Sequence, residues 1–201
     1  MGSDIEDVVN LGEFAKRLRV YFSTASMGIS FLIYGAIFGG YWLTIFSIGS
    51  LYESSWIFIV GALGCIPLAF LCAFLIAKTV PGIKRDRIPH EGVRWVFSFM
   101  IPIAAVVIIG SLYRVPFSIW YAALGASLLL VHFLVERPLI SAGFLKAKPF
   151  LAASIPMLLS FPALLSLPPG LDSVAALGLC LLFYSSAGVY ALARAARLFS
   201  E

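Results

Sequence analysis

Charge is scarce in this sequence and absent from the middle of every long apolar run. Asp, Glu, Lys and Arg make up 12% of the chain, where a soluble domain carries about a quarter. That scarcity argues against proton-coupled pumps, voltage sensors and intramembrane hydrolases. Each keeps a buried ionisable group, whose cost is tolerated only where the charge is used. Cysteine is sparse as well. Cys65, Cys72 and Cys180 are an odd number, all inside apolar runs and without a CxxC pair, so neither a disulfide framework nor a thiolate metal site is expected. The two histidines, His90 and His132, cannot ligate haem as a pair within a membrane. Gly-x-Ser-x-Gly, His-Glu-x-x-His and Gly-x-x-x-x-Gly-Lys are all missing. No catalytic residue, metal or cofactor is therefore expected. Residues 1–19 carry seven charges and no apolar core segment, so no cleavable signal peptide is expected ahead of the first apolar run.

Apolar residues dominate what is present, at 61% of the chain and a mean hydropathy of +1.01. A water-soluble protein of this length could not hide so much apolar surface, so lipid must be the solvent for most of it. Six runs, approximately 20–48, 56–77, 93–112, 115–135, 150–167 and 174–193, approach or exceed the roughly 20 helical residues that cross a hydrocarbon core. None shows the alternation of a barrel strand. The sequence predicts an all-α integral membrane protein: a six-helix transmembrane domain over 20–198, preceded by a short amphipathic interfacial helix over 1–19. In that leading segment Ser3 and Glu6 match a capping box. Acids open it and Lys16, Arg17 and Arg19 close it, as the helix dipole favours. It reads as a solvated lead-in to the first span or as a docking helix for a cytoplasmic partner.

With the N-terminus placed in the cytoplasm, 13 of the 14 basic residues fall on the cytoplasmic side and only Arg114 lies outside. Both termini are expected there, in a plasma or inner membrane. The net charge of +4 then reports topology and anionic lipid and gives no indication of nucleic acid. Ile48-Gly49-Ser50-Leu51-Tyr52 recurs 61 positions later as Ile109-Gly110-Ser111-Leu112-Tyr113, and Ala62-Leu63-Gly64 recurs at the same offset as Ala123-Leu124-Gly125. The spacing predicts helical hairpins over about 20–77 and 93–135, with a weaker third copy over 150–193.

Several polar and small residues could carry function. Ser26, Ser30, Gly35, Gly39 and Gly40 give the first span small-xxx-small spacing, which suits close helix packing within the chain or at an interface with another copy or subunit. Tyr34, Ser160, Tyr184, Ser185 and Tyr190 are candidates to line a cavity for an uncharged or weakly polar solute. Pro156 and Pro162, flanking Ser160, mark the helix expected to be distorted. His132 and Glu136 stand one turn apart near the cytoplasmic end of the fourth run, suited to pairing at headgroup level. Arg114, Glu53 and Asp172 share the outer surface.

The leading expectation is a small multi-pass protein that binds or transports an uncharged or lipophilic solute, alone or as a membrane-embedded transporter subunit. A non-catalytic scaffold of a larger membrane complex is the alternative, and a lipid-modifying enzyme the third. Expected partners are the bilayer and either a second copy or another membrane subunit.

Overall fold

The structure, a computed structural model, describes residues 2–52, 55–79, 88–113, 116 and 118–199. It is all-helical, with no strand among the described residues. The first helix, α1 (Gly2–Gly35), passes through a π-helical turn (Ala36–Tyr41) directly into α2 (Trp42–Tyr52). It is followed by α3 (Ser55–Thr79), α4 (Glu91–Leu112) and α5 (Ile119–Val131). A second π-helical turn (His132–Glu136) leads into the short α6 (Arg137–Ser141). Then come α7 (Pro149–Leu164) and α8 (Leu171–Ala196), closed by a 3-10 turn (Arg197–Phe199).

Four stretches are long and apolar enough to cross a membrane: Asn10–Gly49, Glu91–Leu112, Ile119–Ser141 and Leu171–Ala196. The chain is a helical membrane protein. Two further apolar helical stretches, Ile59–Cys72 and Pro149–Leu164, are shorter. The outward faces suit lipid: Leu159 is 75% exposed and Val107 65%, a cost in water that hydrocarbon removes.

The leading amphipathic segment does not lie apart from the first span. No proline precedes Pro67 and no glycine pair precedes Gly39-Gly40, so nothing interrupts the helix after residue 19. Residues 2–52 at 1.5 Å each extend roughly 75 Å, well beyond a hydrocarbon core of about 30 Å. The charged opening turns therefore project past the apolar layer. The side chains of Ser3 and Glu6 lie outside the described residues.

Packing runs from α4 to α5, α5 to α7, α7 to α8, and from α8 back to α1. The α1–α8 seam is the tightest. A Cβ on Gly28 would come within 2.9 Å of the Gly188 carbonyl oxygen, and one on Gly188 within 2.8 Å of the Gly28 carbonyl oxygen. Further along, Gly35 abuts Tyr184 and Gly39 abuts the Leu181 backbone. Gly35 and Gly39 of the small-residue stripe thus face α8 of the same chain, while Gly40 meets open space. Both copies of the Ile-Gly-Ser-Leu-Tyr motif lie at helix C-termini, those of α2 and α4.

α7 is continuous through Pro156 and Pro162. The distorted geometry falls instead at the two π turns, and each has a local cause. The first contains Gly39-Gly40, where the helix is weakest, and the Thr44 hydroxyl donates to the Gly40 carbonyl (2.9 Å). The second precedes Pro138, which has no N–H to give the Leu134 carbonyl. There the Arg137 N–H reaches back five residues to the His132 carbonyl.

Candidate functional site

The carbonyl that Pro138 leaves without a helical donor is satisfied from another helix. Arg94, in the first turn of α4, donates from Nη1 to the Leu134 oxygen at 3.0 Å. The buried Ser98 hydroxyl in turn donates to the Arg94 carbonyl at 2.8 Å. One turn away, His132 Nδ1 is hydrogen-bonded to Glu136 Oε2. Glu136 is fully buried, and its other oxygen, Oε1, accepts the Phe150 N–H at 3.0 Å, with the Leu151 N–H turned to the same carboxylate. These are two of the orphan donors at the start of α7, whose first residue, Pro149, has none to offer. Glu136 therefore caps a helix other than its own, and the positive end of that helix favours the carboxylate.

Aromatic rings enclose this knot. Phe150 lies edge-on to Phe31 (centroids 4.7 Å apart) and to Trp95 (5.3 Å), while Trp95 stacks on Phe99. The His132–Glu136 pair is buried between helices of the bundle, with His132 only 7% exposed. Arg94 was legible in the sequence only as one more base on the basic side. Pro138 was the signal that could have found it, because a proline after a span identifies the carbonyl left open four residues earlier. Arg94→Gln is expected to cost about 1 kcal/mol, the low end of orphaning an acceptor because this one is only part-buried, read as a lowered unfolding midpoint in detergent.

The five hydroxyl-bearing candidates each engage a different neighbour. Ser160 is hydrogen-bonded to the Tyr121 hydroxyl at 2.8 Å. Tyr184 is buried, its ring 5.3 Å from that of Phe31. Tyr34 is half-buried against the core, and Ser185 sits beside Gly35. Tyr190 lies under the Arg194 guanidinium and lines a groove with Lys148, Ile155 and Pro156. Ser30 donates to the Ser26 carbonyl within α1.

A separate cleft of about 370 Å³ opens between α2, α4, α5 and α8. Trp42, Phe46, Phe99, Ile103, Trp120 and Leu124 line it, with Ala123 and Ser127 on the α5 wall. The Ser127 hydroxyl is already committed to the Ala123 carbonyl at 2.8 Å. The cleft is therefore almost wholly apolar. Trp42 from α2 and Trp120 from α5 supply much of its aromatic lining. No sequence pattern linked these rings, which lie on separate helices and meet only in the fold.

Of the outer-surface trio, Arg114 and Glu53 lie outside the described residues. Asp172 is buried, accepting the Gly170 N–H at 2.9 Å and the Ser173 hydroxyl at 3.4 Å. The buried Ser118 side chain lies near that carboxylate, its hydroxyl outside hydrogen-bond geometry. Comparison with known protein families, curated proteins and solved structures finds no match to this chain.

Proposed function

We propose that this protein binds an uncharged, lipophilic solute in the cleft between α2, α4, α5 and α8, and moves it or presents it to a partner transporter. The cleft carries the reading. About 370 Å³ of apolar, aromatic-lined space lies within the range of small-molecule sites and suits an uncharged, lipophilic solute. The role is one of binding and passage rather than catalysis. α3 and α7 complete a six-span domain of hairpins in this reading. At 16 residues, or about 24 Å, α7 crosses with local thinning of the bilayer. The distribution of basic residues along the sequence supports both termini lying in the cytoplasm of a plasma or inner membrane in this reading.

The test is photolabelling of the full chain in detergent with a diazirine-bearing long-chain alcohol. Adducts are expected on peptides containing Trp42–Phe46, Ile103–Val107 and Trp120. Ala123→Phe, which fills the cleft from the α5 wall, is expected to reduce them roughly tenfold. Labelling spread evenly over the outward faces of α3 and α4, and indifferent to Ala123→Phe, would overturn the assignment.

A scaffold role in a larger membrane assembly is the second reading. It is favoured by α3, which packs chiefly against α1–α2 and turns Trp56, Phe70 and Phe74 outward. A second copy or another membrane subunit seated on that face would be retained after gentle extraction, and native mass spectrometry would count it.

A further inference from the structure

At the end of the bundle away from Asp172, three separate pieces of chain enclose a pocket of about 480 Å³. α1 contributes Glu13, Lys16, Arg17 and Val20, the α6–α7 loop contributes Gly143 and Lys146, and the C-terminal turn closes it. The loop is held in place. Gly143, at φ 75°, ends α6 with its N–H on the Ile140 carbonyl (3.0 Å) and the Phe144 N–H on the Leu139 carbonyl (2.9 Å), a Schellman closure. Thr24 of α1, fully buried, accepts the Lys146 backbone N–H at 3.3 Å, and the Arg19 guanidinium covers the Phe144 ring at 4.3 Å. The Lys146 backbone is thereby held against α1, and Lys146 lines the same pocket as Lys16 and Arg17.

Three cations and one carboxylate face this space, and none of the three cations is ion-paired with a described carboxylate. Three cations against one carboxylate leave a net positive charge, so the pocket gains from a further anion. Its depth identifies the source. Val20, in its wall, is the buried residue at which the apolar run begins, so the pocket sits where the charged opening of α1 meets its apolar part. A phosphate held by Lys16, Arg17 and Lys146 would sit at headgroup level, at the boundary between the charged and apolar parts of α1.

We propose that this pocket binds the phosphate-bearing headgroup of an anionic phospholipid in the leaflet at the basic end of the bundle. It shares no residue with the apolar cleft and stands or falls separately from it.

The test is native mass spectrometry of the full chain in detergent, titrated in parallel with phosphatidylglycerol and phosphatidylcholine. The wild type is expected to retain phosphatidylglycerol with roughly tenfold or greater preference. The triple variant Lys16→Gln, Arg17→Gln, Lys146→Gln should lose that preference. Its three side chains are exposed, so an unchanged unfolding midpoint in lipid-free detergent is expected and verifies the fold. A charge-matched control, Arg137→Gln, Lys148→Gln, Arg194→Gln, should keep the preference. Equal loss in the control would show that net charge alone acts and would overturn the site. Retention of the preference in the pocket variant would overturn it too. Displacement of phosphatidylglycerol by equimolar inorganic phosphate would overturn the lipid assignment in favour of a free anion.

Discussion

Glu136→Ala is expected to lower the thermal unfolding midpoint of the detergent-solubilised protein by roughly 6–12 °C. Three groups lose their partner at once: His132 Nδ1 and the backbone N–H groups of Phe150 and Leu151. All lie in a region from which water is excluded, since Glu136 and Leu139 are fully buried. Orphaning buried donors costs about 1–3 kcal/mol each, and breaking a buried pair about 3–5 kcal/mol. A net loss of about 3 kcal/mol then gives the stated shift for a chain of this size. Glu136→Gln keeps one carbonyl oxygen for the α7 N–H groups, and its amide donates to His132 in the other tautomer, so it should lose less than half as much. Tryptophan fluorescence against temperature reads both. If alanine leaves the midpoint within about 1 °C of wild type, the carboxylate does not hold α7 in place.

The second large effect is expected at the α1–α8 seam. Gly188→Val places a branched side chain where a single Cβ already lies 2.8 Å from the Gly28 carbonyl oxygen. That neighbour is backbone in mid-helix and cannot rotate away, so the helices must separate. Overpacking costs about 1–3 kcal/mol in adaptable cores and more where backbone is struck, so a loss of about 3 kcal/mol or greater is expected. Gly178→Ala and Gly12→Ala meet open space and should be neutral or slightly stabilising through helix propensity. The contrast isolates close approach from glycine content. Equal unfolding midpoints for Gly188→Val and Gly178→Ala would show that α1 and α8 do not touch as described.

Helical membrane architecture was readable because long apolar runs without alternation have only one way to satisfy their backbone in lipid. The continuity of α1 with the first span was readable in principle too, since the 19 leading residues contain no proline and no glycine pair. What obscured it was charge: an amphipathic opening resembles a surface helix whenever its continuation is ignored. The short α7 was harder to foresee. The apolar run to Leu167 outlasts the helix, which ends at Leu164 ahead of Pro168, Pro169 and Gly170. The prolines inside α7 drew attention from Pro138, although neighbours and side chains readily absorb a mid-helix proline. The partners at the polar knot were not legible at all. Arg94, Leu134 and Phe150 belong to three helices, and only packing decides that their polar groups meet. The same holds for Trp42 and Trp120 in the cleft.

The pairing of α1 with α8 sets an order of assembly. The α1 helix finds its closest neighbour in α8, so Gly28 must wait for Gly188 while the intervening helices are synthesised. Until then its narrow face, shaped for another backbone, has only acyl chains or a transient escort against it. Truncation anywhere before α8 would leave that face open, and such fragments are expected to be captured by quality control rather than to persist as smaller versions of the protein.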